Sequence, residues 1–118
     1  SDFAQHHEFL GTLWEETFAA VDPIAELIRT KGELSPGSFQ EFLELSQLDD
    51  PTDEDTNAQV MFEILSRDND TLLDTLKEAY QSAEEEMDFD ISDYLAGRIA
   101  AHKKHGWMLA SFLNRQAN

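Results

Sequence analysis

Apolar side chains recur every three or four residues from the start of the chain. Phe9, Leu10, Leu13, Trp14, Phe18, Val21, Ile24, Ala25 and Ile28 form one such stripe, the period of an amphipathic helix. This helix is expected to run from about residue 3 to 31, with Ser1 or Asp2 as its N-cap. Arg29 and Lys31 suit its C-terminal dipole, and Gly32 suits its C-terminal cap. Pro23 lies inside the stripe and should remove a backbone hydrogen bond and kink the helix. Ser35-Pro36-Gly37-Ser38 ends the pattern. Ser38 with Glu41 three residues later forms a capping-box signature for a short helix from Phe39 to about Leu45.

An acidic loop, Gln47 to Asp55, leads into a second long helix over roughly residues 54 to 85. Its apolar face is expected to comprise Met61, Ile64, Leu65, Leu72, Leu76, Ala79 and Ala83, interrupted by Arg67-Asp68-Asn69-Asp70. Glu84-Glu85-Glu86 crowds negative charge where the helix dipole disfavours it, so this end should fray. Asp88 to Asp90 marks a second acidic turn. Asp90 or Ser92 should then cap a last helix reaching about Asn114, with Leu95, Ile99, His102, Leu109, Phe112 and Leu113 inward. No strand-like alternation and no internal repeat interrupts this series. The expected fold is all-α: three long helices and one short crossover helix. Three long helices around one core leave an open flank, to be filled by a missing N-terminal helix or by another chain.

Composition narrows the function. A chain of 118 residues is expected to be a single domain with a real core. Eight basic residues against twenty-five acidic ones give a net charge of −17. That balance argues against unaided binding to DNA or to an anionic membrane, and it attracts cations. The plainer alternative is that the acids only keep a helical protein soluble. Absence of cysteine excludes disulfides and thiolate metal sites and is compatible with a cytoplasmic location. No apolar run reaches the length of a membrane span, and no signal peptide is visible. The chain opens at Ser1 without a methionine, so its start is expected to be processed or partial.

Three residues of the first helix carry candidate chemistry. Asp22 and Glu26 are four apart and share one helix face. His7 precedes Asp22 by fifteen residues, about 22 Å along a continuous helix at roughly 1.5 Å per residue. One ion cannot be held by all three within one such helix. A second copy running antiparallel across a two-fold axis near Trp14 to Glu16 would set His7 of one chain beside Asp22 and Glu26 of the other. Taken alone, the acid pair is ordinarily a solvated helix face and His7 an ordinary surface histidine.

The runs His7-Glu8-Phe9-Leu10, Trp14-Glu15-Glu16 and Val21-Asp22-Pro23-Ile24-Ala25-Glu26-Leu27-Ile28-Arg29 resemble the second helix of the Dps-type mini-ferritins. The likeness continues through Pro36-Gly37-Ser38 and Glu41-Phe42-Leu43-Glu44-Leu45-Ser46 in the crossover. It resumes in the last helix at Asp93-Tyr94-Leu95-Ala96-Gly97-Arg98-Ile99-Ala100-Ala101-His102-Lys103-Lys104 and Trp107-Met108-Leu109. It spans essentially the whole chain in order. The resemblance implies a ferritin-like bundle, assembly into a hollow dodecamer, and uptake of Fe(II) that is oxidised between two-fold-related subunits and stored as Fe(III). By position, His7 corresponds to the second-helix histidine ligand, and Asp22 and Glu26 to the carboxylates given by the partner chain. These donors suit iron at a mono-iron or di-iron site.

Two departures stand out. The family has an aspartate one turn after the histidine, where this chain has Gly11. The family also has a first helix ending in another histidine ligand, upstream of Ser1. The alternative function is therefore a non-catalytic helical oligomer that kept the scaffold and lost the centre. Asp88, Asp90 and Asp93 stand where the family lines its three-fold pores with acids, although capping and solubility explain any single one equally well. His6 is expected to be exposed, and His102 to pack and hydrogen-bond. Trp14 is expected to serve as an interface anchor or core residue. The family's DNA protection commonly uses a basic tail or patch; none is apparent here, so direct nucleic-acid binding is not expected.

Overall fold

The structure, a computed structural model, describes residues 3–50 and 57–117, with side-chain surroundings through residue 114. The N-cap expected at Ser1 or Asp2, part of the acidic loop and the first turn expected of the second long helix fall outside these residues. Five helices are present among the described residues: α1 (Phe3–Ala19), α2 (Val21–Thr30), α3 (Phe39–Leu45), α4 (Ala58–Glu85) and α5 (Phe89–Ala117). They fall into two compact units, residues 1–46 and 47–118.

In the first unit, the single kinked helix expected over residues 3 to 31 is two helices broken at Ala20. Pro23 is the cause. A proline ring crowds the carbonyl four residues earlier, here Ala19, the last residue of α1. Ala20 N–H instead donates to Thr17 O at 3.2 Å, a tighter turn, and the regular pattern resumes from Ile24 N–H to Ala20 O at 3.2 Å. Pro23 thereby occupies the first turn of α2, where a missing N–H leaves nothing unsatisfied. The far end of α2 closes on Gly32, whose φ of 86° is the left-handed conformation glycine adopts freely. Glu33 N–H reaches Ile28 O there at 3.3 Å.

The short helix has the expected bounds and cap. Glu41 N–H donates to Ser38 Oγ at 3.2 Å, and Glu41 Oε2 accepts from Ser38 N–H at 3.3 Å and from Gly37 N–H at 2.7 Å.

In the second unit, α4 and α5 form an antiparallel hairpin joined through Glu86–Asp88. The expected fraying at Glu84–Glu86 is not what closes α4. Met87 takes a left-handed φ of 60°, letting Met87 N–H bond Glu84 O at 3.1 Å and Asp88 N–H bond Ala83 O at 2.8 Å. These two bonds satisfy terminal carbonyls and offset the unfavourable charge at the helix end. Helix α5 also begins earlier than expected. Ser92 N–H already donates to Asp88 O at 3.0 Å, so Asp90 lies in the first turn and Ser92 is buried inside the helix.

The seam of this hairpin has a seven-residue period: Phe62, Asn69, Leu76 and Ala83 are the buried residues of α4. Ser92, Leu95, His102, His105 and Leu109 are buried on α5, and Phe62 stacks on Phe112 with ring centroids 5.3 Å apart. This is the interlocking of closely aligned helices. It corrects two details of the expected face. Met61 is exposed while its neighbour Phe62 is buried, and Ala79 is exposed. Asn69, taken as part of a polar interruption, lies on the buried seam.

Candidate metal centre

His7 is exposed on α1, its ring 6.0 Å from that of Phe3. Asp22 sits in the first turn of α2, where the helix dipole favours a carboxylate. Glu26 follows one turn later, and both acids are exposed. The break at Ala20 means that the continuous-helix distance does not carry over to His7 and Asp22. Among the described residues, no three His, Cys, Asp or Glu side chains of one chain come together to hold a metal. Asp22 and Glu26 thus lie one turn apart on α2, and among the described residues no cluster within one chain unites His7 with them.

At Gly11, a Cβ built on the backbone meets nothing within 4 Å. The missing carboxylate of this helix is therefore not excluded by crowding within the chain. Trp14 is 65% exposed and stacks on Phe18, ring planes 9° apart and centroids at 5.3 Å. That exposure leaves Trp14 outside the core of the first unit. His6, expected to be exposed, is half-buried. Asp90 and Asp93 are exposed at the start of α5, and Asp88 just before it is half-buried.

The hairpin seam holds a polar cluster that the apolar periodicity did not reveal. Asn69 Nδ2 donates to His102 O at 2.8 Å, and Asn69 Oδ1 lies 3.1 Å from His102 Nδ1. Arg98 Nη2 lies 2.8 Å from His102 Nε2. A guanidinium only donates, so Nε2 accepts and the ring proton of His102 sits on Nδ1, aimed at the Asn69 oxygen. His105 completes the group, its ring edge-on to His102 with centroids 4.9 Å apart. This matches the packing and hydrogen-bonding role expected of His102. The overlooked partners are Asn69 and His105. Two signals pointed to them: the seven-residue step from Phe62 through Asn69 to Leu76, and Gly106 inside an otherwise regular helix. A Cβ at Gly106 would stand 3.0 Å from Asn69 Nδ2, so glycine there makes room for the amide.

No helix among the described residues is long and apolar enough to cross a membrane. Residues 1–117 match the family model for the ferritin-like domain. The chain is 33% identical over 109 residues to the DNA protection during starvation protein 2 of Bacillus anthracis, covering 92% of this chain and 74% of that protein. It is also 33% identical over 112 residues to an uncharacterized low temperature-induced protein of Nostoc sp., covering 91% of this chain and 63% of that one. The solved Dps of Staphylococcus aureus superposes with a TM-score of 0.90 at 29% identity, over 96% of this chain and 75% of that structure. The Dps of Bacillus brevis gives 0.89 at 28% identity, over 96% and 75%.

Proposed function

Because the chain belongs to the ferritin-like family, in its Dps branch, and shares that helical-bundle fold, we propose that it takes up iron and oxidises Fe(II) between paired subunits. In this scheme, Asp22 and Glu26 of one copy and His7 of another bind the ion. Carboxylates and imidazole suit Fe(II), and their negative charge holds the Fe(III) product more strongly than the substrate. Three donors leave coordination positions for a dissolved oxidant, dioxygen or peroxide, which takes one electron from each Fe(II). The observation that supports this most is the pairing of Asp22 and Glu26, exposed one turn apart at the positive end of α2. Asp88, Asp90 and Asp93 would draw cations along the way, and the −17 net charge favours cations throughout.

The protein is read as a cytoplasmic oligomer, a dimer at least and a dodecamer in its family form, with no direct affinity for DNA. A gel shift with supercoiled DNA, without added metal, tests the last point; a retarded complex would contradict it. Gly11 favours a second reading, a non-catalytic oligomer on the same scaffold, because no donor stands at that position. Fe(II) oxidation followed by absorbance separates the two. The wild type is expected to exceed the buffer rate, and Asp22→Ala and Glu26→Ala to fall toward it. A wild-type rate equal to that of buffer would favour the non-catalytic oligomer, and variants as fast as an active wild type would overturn the roles given to Asp22 and Glu26.

A further inference from the structure

Both nitrogens of the His102 ring are committed, and the groups that commit them are themselves held in place. Asn69 Nδ2 bonds His102 O at 2.8 Å; a carbonyl only accepts, so the amide oxygen is the atom turned toward His102 Nδ1, 3.1 Å away. Arg98 Nη2 sits 2.8 Å from Nε2 and can only donate. The ring is therefore neutral, with its proton on Nδ1, and it is 4% exposed. His105, equally buried, sets its own Nδ1 3.4 Å from His102 Nδ1. A second proton on His102 has one place to go, Nε2. There it would meet the Arg98 N–H head-on and set two positive charges side by side in the seam. Asn69 is an amide and carries no charge to offset them. The charged side chains flanking this point in the second unit are Arg67, Asp68, Asp70 and Asp74 on α4 and Lys103 and Lys104 on α5. Arg67 and half-buried Asp68 lie 3.9 Å apart, while Asp70, Asp74 and both lysines are exposed, where solvent screens them.

We propose that His102, clamped between Arg98 and Asn69, is an acid-sensitive latch on the α4–α5 hairpin. The latch is closed while the ring is neutral and is released when the ring takes up a proton. In the opened chain Arg98 no longer faces Nε2, and an unhindered imidazole binds a proton near pH 6.5. Below that value the opened hairpin holds more protons than the closed one, so the stability due to the latch is full above about pH 6.5 and falls as pH drops. One ring excluded from titration changes the unfolding equilibrium constant by about tenfold per pH unit there. The device lies wholly within the hairpin seam and does not depend on the iron scheme.

The test is urea unfolding followed by helical circular dichroism, at matched protein concentration, from about pH 7.5 to about pH 5.5. Carboxylates of ordinary pKa stay ionised across that window. His102→Gln offers a donor and an acceptor without titrating, and Arg98→Met keeps an unbranched stem without the donor. Relative to His102→Gln, the wild-type unfolding constant is expected to rise by about tenfold over the lowest pH unit. Arg98→Met should show a smaller rise, because Nε2 is then open to a proton. Parallel profiles for the wild type and His102→Gln, or an Arg98→Met profile as steep as the wild type, would overturn the proposal. Imidazole nitrogen NMR on the folded wild type keeps the test decisive if a variant does not fold. The His102 ring should stay in its neutral Nδ1–H form across the window, and a proton gained on Nε2 with the helical signal intact would also overturn it.

Discussion

The amide of Asn69 and the missing side chain of Gly106 should behave as one unit, and a double-mutant cycle can measure it. In an exposed helix interior, Gly→Ala stabilises by about 1 kcal/mol through backbone entropy. At Gly106 the new methyl would stand 3.0 Å from Asn69 Nδ2. That nitrogen is held by its 2.8 Å bond to His102 O, and the oxygen of the same amide lies 3.1 Å from His102 Nδ1. Moving the amide weakens both bonds, each worth about 1 kcal/mol net. Gly106→Ala alone is therefore expected to be neutral or to destabilise by about 1 kcal/mol. Asn69→Ala removes both bonds and withdraws a partner from a buried ring, at roughly 2–3 kcal/mol. In that background the obstruction is gone, and Gly106→Ala should recover its full gain of about 1 kcal/mol. The resulting coupling is roughly 1–2 kcal/mol, within the range seen for residues in contact. Urea unfolding followed by helical circular dichroism, at matched protein concentration because assembly contributes to stability, gives all four values. If Gly106→Ala has the same effect in both backgrounds to within about 0.3 kcal/mol, the proposed cause of the glycine is wrong.

Three further outcomes follow from local geometry. Met87 holds φ at 60° and is 71% exposed, so Met87→Gly should relieve left-handed strain and raise stability by about 1 kcal/mol, read as a higher Tm. Gly11→Asp should speed Fe(II) oxidation in the absorbance assay, since space is open there within the chain; an unchanged rate would show that the position does not face the bound ion. The hydrogen bond to Glu84, with that residue's negative charge next, raises the Tyr80 hydroxyl above its usual ionisation range. Glu84→Gln removes the charge that opposes the phenolate, so Tyr80 should ionise at lower pH. Ultraviolet titration in a Tyr94→Phe background would detect it, and an unmoved curve would contradict the assigned cause.

Local signals were the most legible part of the sequence. Ser38 and Glu41 are close in the chain, and their reciprocal cap is present with the expected helix bounds. Gly32 likewise marked the end of α2, because only backbone conformation was at stake. The seam of α4 was harder to read. Its face depends on what α5 presents, and a buried asparagine bonded to an opposing backbone carbonyl looks like an ordinary polar residue when α4 is read alone. Asp88 was readable as an acidic turn residue, but the start of α5 at Phe89 depends on the left-handed Met87, which no side-chain preference announces. Asp22 and Glu26 were visible as a pair because four residues make one helical turn. Their junction with His7 involves another molecule, so no pattern within one chain can establish it.

The interruption at Ala20 turns a matter of counting into a matter of angle. On an unbroken rod, the reach from imidazole to carboxylates would follow from the number of intervening residues. Across an elbow, it also follows from the side chain at the corner, and Ala20 is only 6% exposed. A bulkier corner would swing one arm against the other, so that two copies could still embrace with their donors out of step. Under the proposed pairing, a substitution that touches no ligand could silence the oxidation chemistry.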